Sequence, residues 1–130
     1  MKNKKTMLMV GVFMIVAFIT CCTFPFLNLT KETPIRMDML SWLVIGISIM
    51  FYCNIGQFEA KLFSGSSVIF IALFNFIATA FGMGSRYLIE FGEVSNVYNF
   101  TLPNIILQVL VSVLLTSGAC LFAKKTESSN

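Results

Sequence analysis

Four stretches of this chain, 7–27, 39–58, 68–87 and 103–123, are apolar over a length that leaves few ways to fold them. About 20 residues of α-helix, rising ~1.5 Å each, cross the hydrocarbon core of a bilayer. Each stretch meets that length, and polar residues set its limits. No charge interrupts 7–27, Asp38 and Glu59 bracket the second stretch, Arg86 lies at the end of the third, and Lys124 and Lys125 stop the fourth. Lipid offers no partner to a backbone N–H or C=O, so each stretch must close its own hydrogen bonds as a helix. Burying these stretches in a water-soluble core would need polar surface that the chain lacks. Charged residues are 12% of it, against about 25% in an ordinary soluble domain.

The connections are short. Segment 28–38 is a polar loop with Pro34, 59–67 is a tight turn with Gly65 and several serines, and 86–102 is the longest polar stretch. The expectation is an all-α membrane protein: a four-helix transmembrane bundle, antiparallel in sequence order, forming a single domain over 1–130. A short interfacial helix fits between the third and fourth spans. The opening MKNKK and its apolar run also resemble a secretory signal, but the run exceeds a signal core and no A-x-A site closes it, so it is expected to stay as the first span.

Lys and Arg are retained on the cytoplasmic side of a membrane. With the N-terminus inside, that side carries six (Lys2, Lys4, Lys5, Lys61, Lys124, Lys125) and the other side three (Lys31, Arg36, Arg86). Both termini are therefore expected in the cytoplasm, with the protein in the bacterial cell membrane. The basic residues sit at the membrane faces and form no nucleic-acid footprint.

Catalysis finds little support. Histidine is absent, which removes the commonest general base and metal ligand. Cys21, Cys22, Cys53 and Cys120 form no C-x-x-C pair. Glu90 and Glu93 are the only near pair of carboxylates, with no nucleophile beside them. The reading is not an enzyme, with no metal site and no cofactor.

One pattern stands out. Asn104, Gln108, Ser112, Thr116 and Cys120 recur at every fourth position of the last span. Polar and small residues at that spacing either pack helices together or line a path between them. The third span adds Asn75, for which Gln108 is the candidate partner, and the small pairs Ala78/Gly82 and Ala80/Gly84, suited to close approach by the fourth span. Beyond it, Arg86, Glu90 and Glu93 share one face if the helix continues, and Tyr87, Phe91, Tyr98 and Phe100 suit an interface belt. This is a candidate external contact. Glu59 reads as the headgroup-level end of the second span, which leaves no charge at mid-membrane.

Gly82-Met83-Gly84-Ser85-Arg86-Tyr87 resembles a signature of small four-helix fluoride channels, and Cys21-Cys22 with Pro25 is similar to the vicinal pair of small mercuric-ion transporters. The first family carries its signature in the first helix, and the second has a further cytoplasmic cysteine pair. Neither likeness transfers a residue's role. The function expected is a small accessory, regulatory or interaction subunit that contacts lipid and another membrane protein or itself. The alternative is a homo-oligomeric channel or transporter for a small solute, with a metal- or redox-active Cys21-Cys22 pair third.

Overall fold

The computed structural model describes residues 2–24 and 35–129. They are all helical apart from short turns: α1 (Lys2–Thr23), α2 (Ile35–Leu62), α3 (Val68–Ile89), α4 (Val94–Asn99) and α5 (Leu102–Ser129). Four of these, all but α4, are long and apolar enough to cross a membrane, and the protein is a membrane-embedded four-helix bundle. The short helix α4 sits between the third and fourth spans. The loop expected over 28–38 falls outside the described residues up to 34, and α2 already begins at Ile35. Residues 25–27 of the first expected span also lie outside them.

Local chemistry sets the element ends. Ser67 stands before α3, and its hydroxyl accepts from Phe70 N at 3.2 Å, satisfying a donor that the first helical turn leaves over. After Ile89 the chain turns through Gly92, whose φ of 84° lies where a side chain would be strained. Pro103 occupies the first turn of α5, where its missing N–H breaks no helical bond.

The most extensive packing is of α2 on α5, then α1 on α3, α3 on α5, and α1 on α2. The four spans thus form a ring in which α2 and α3, joined by the turn 63–67, face each other across the middle. Glycine makes two of these seams close. A Cβ on Gly56 would run into Thr116 O and Ala119 of α5, and one on Gly82 into Ala17 O and Thr20 of α1. Gly82 therefore serves the first span, not the fourth as its spacing suggested.

The exterior is apolar, and the interior mixes an apolar core that includes Val16, Phe63 and Ile71 with many polar side chains. Phe18, Trp42, Met50, Ile69, Leu73, Leu114 and Phe122 point outward, where lipid receives them, whereas Thr20, Ser48, Glu59, Asn75, Thr79, Gln108, Ser112, Thr116 and Ser117 are buried. We call the two ends the basic end (Lys4, Lys5, Lys61, Lys124 and the turn 63–67) and the connector end (Phe24, α4 and the turns around it).

Candidate functional site

The five residues of the α5 stripe all point inward; Asn104 is 5% exposed and Gln108, Ser112, Thr116 and Cys120 are fully enclosed. They meet polar side chains from each of the other three spans, and together these form a column along the bundle axis.

Toward the basic end lies Glu59, with no exposed surface. Asn75 Nδ2 donates to Glu59 Oε2 at 3.0 Å and to Ser117 Oγ at 3.2 Å. This corrects two expectations. Glu59 does not end the second span: α2 runs on to Leu62, and the Glu59 side chain is turned inward. Asn75 pairs with Glu59 and Ser117 and not with Gln108, because Gln108 lies further toward the connector end. There its Nε2 reaches Thr23 Oγ1 and Tyr52 OH, each at 3.4 Å.

Hydroxyls fill the middle, and proton counting gives some of their directions. Thr79 donates its single proton to Asn75 O at 2.8 Å, so the 2.6 Å bond between Thr79 and Ser112 is donated by Ser112. Thr23 likewise gives its proton to Ile19 O at 2.8 Å and can only accept from Gln108. Tyr52 OH lies 2.9 Å from Thr20 Oγ1, and Ser112 borders the same hydroxyl.

Four buried oxygens in the described structure have no hydrogen-bond partner: Glu59 Oε1, Asn75 Oδ1, Gln108 Oε1 and, in α4, Asn96 Oδ1. All are acceptors. Leaving such a group unmatched costs about 1–3 kcal/mol, more when it is charged. The interior is thus short of donors.

Aromatic clusters lie near both ends of the bundle. At the basic end Phe63 packs on Phe74 and Phe70, at 5.0 and 5.5 Å between ring centres. At the connector end Phe100 packs on Phe24 at 4.8 Å and on Tyr87 at 5.2 Å. Arg86 ties this end together: Nε donates to Glu90 Oε1 at 2.8 Å and Nη1 to Cys21 O at 2.7 Å. Asn96 Nδ2 adds a bond to Tyr87 O at 3.0 Å. Glu93 does not share the face of Arg86 and Glu90. The turn at Gly92 ends α3 first, and Glu93 stands immediately before α4.

Sequence reasoning missed Glu59, Tyr52, Thr20, Thr79 and Ser117 as members of the column. One signal was available: Ser48, Tyr52, Gly56 and Ala60 repeat every four residues on α2, as the stripe does on α5, and all four are buried. All four cysteines are free thiols, and among the described residues no group of three or more His, Cys, Asp or Glu converges.

Fold and interior together define a small integral membrane protein with a polar core. No protein-family model, curated protein or solved structure matches the chain.

Proposed function

We propose that this protein is a transport protein for a small hydrophilic solute, with the path inside one chain and not between copies of it. The observation that carries the reading is the buried Glu59 in a donor-poor polar column. Ionisable residues inside a membrane bundle are costly, and where they persist they mark solute pathways and proton relays. Aromatic clusters near both ends suit a carrier in its closed state better than an open channel. The basic end, with Lys4, Lys5, Lys61, Lys124 and Lys125, faces the cytoplasm on this reading. Reporters fused at Ser95 and after Lys125 should accordingly give opposite sidedness.

The test needs no known solute. In a cysteine-free background in vesicles, Ser112→Cys and Thr116→Cys should react with a small water-soluble thiol reagent, while lipid-facing Leu114→Cys stays inert. Interior cysteines as inert as Leu114→Cys would overturn transport. The accessory reading keeps one observation of its own: Ala80 and Gly84 are exposed on α3, and open space lies over Gly84. A seam of this kind fits a partner helix. Co-purification of a larger membrane protein, lost on Gly84→Leu, would favour it.

A further inference from the structure

We infer that Glu59, Asn75 and Ser117 form a binding site for a small monovalent cation, with Glu59 Oε1 and Asn75 Oδ1 as its principal ligands. The inference deepens the transport reading and rests on it, since the bound ion would be the solute or its companion.

Both side chains are fully enclosed, and each has one oxygen committed to nothing within the described protein. The two groups that carry them are adjacent, since Asn75 Nδ2 donates to Glu59 Oε2 at 3.0 Å. That bond also orients the amide. A carboxylate only accepts, so it draws the NH2 toward itself and leaves the carbonyl oxygen available. Ser117 Oγ takes the second amide proton at 3.2 Å and locks the arrangement from α5. Gly56, one turn before Glu59, lets α2 lie against Thr116 and Ala119 of α5, the helix that carries Ser117.

Charge and ligand type narrow the occupant. Among the described residues the one salt bridge is Arg86–Glu90, far from this site. Lys124 of α5 donates its Nζ to Phe63 O at 3.3 Å and Ser66 O at 3.0 Å, just beyond the C-terminal end of α2. The other ionisable group in electrostatic reach is Cys120. A carboxylate with no cation in a low-dielectric interior costs several kcal/mol, and a single positive charge coordinated by its oxygens offsets part of that cost. A divalent ion would leave one positive charge unbalanced against the single carboxylate. Carboxylate, amide and hydroxyl oxygens are hard ligands, which select an alkali or ammonium ion over a soft metal.

Thermal unfolding in lipid nanodiscs tests this, with NaCl, KCl or NH4Cl replacing N-methylglucamine chloride at constant ionic strength and pH. The expected result is a saturable rise in Tm with at least one small cation, shifted about tenfold or more to higher concentration by the isosteric Glu59→Gln. Ser117→Ala, which keeps the carboxyl and loosens only Asn75, should shift the response in the same direction by less. The proposal is overturned if Tm ignores every small cation, which would mean that a proton neutralises Glu59. It is equally overturned if Glu59→Gln responds like the wild type. A cation response with unreactive interior cysteines would support the site and sink transport, whereas reactive cysteines with no cation response would do the reverse.

Discussion

Tyr52 is wholly buried in a membrane bundle, yet its hydroxyl meets Thr20 of α1 at 2.9 Å and Gln108 of α5 at 3.4 Å. Tyr52→Phe removes both bonds and keeps the ring. Interhelical hydrogen bonds in membranes average about 0.6 kcal/mol and reach about 1.7. The expected loss is therefore about 1 kcal/mol, read from reversible unfolding in mixed micelles. No loss would mean that water substitutes for the hydroxyl and that the interior is wet. Such residues are hard to read from a sequence, and Glu59 shows why. A carboxylate near the end of an apolar run is ordinarily at the headgroups. Only the extension of α2 to Leu62 and the rotation fixed by Gly56 against α5 turn it inward. Asn75 was legible as a residue needing a partner, but its partner depended on relative depth, which a residue count from each span end does not resolve.

At the scale of elements, the spans themselves were legible because bilayer thickness dictates their length, and the α5 stripe because its repeat survives in a single helix. Which helix meets which was not, since short loops say only that neighbours in sequence are antiparallel. The seams rest on glycines in two different situations. Gly56 and Gly82 face backbone of another helix, whereas Gly84 and Gly118 have open space beyond them. Backbone cannot step aside, so Gly56→Ala and Gly82→Ala should each destabilise the bundle by about 1–3 kcal/mol. Gly84→Ala and Gly118→Ala should be neutral or stabilising by up to about 1 kcal/mol, as expected for helix interiors. Unfolding of the four variants side by side checks this ordering. A marked loss at Gly84 would instead reveal a second helix on that face.

For the molecule as a whole, lipid solvates the outside and the chain must solvate its own interior. The transport proposal rests on the places where it does so incompletely. The bond between Glu59 and Asn75 also bears on how the chain enters the bilayer during synthesis. An acidic side chain at the centre of an inserting helix costs about 2.5–3.5 kcal/mol, and less toward its ends. α2 arriving alone would present Glu59, Tyr52 and Ser48 to lipid, while the amide that donates to the carboxyl lies on the next helix, about two turns past the turn 63–67. The natural unit of entry is then the α2–α3 hairpin, already bonded across its two arms, and not one helix at a time. In a translocon insertion assay, α2 alone should insert less completely than the hairpin, and Asn75→Leu should cancel the hairpin's advantage. Equal insertion with Asn75→Leu would show that Glu59 enters unaided. On this account a single amide on α3 decides whether the helix before it is retained by the membrane.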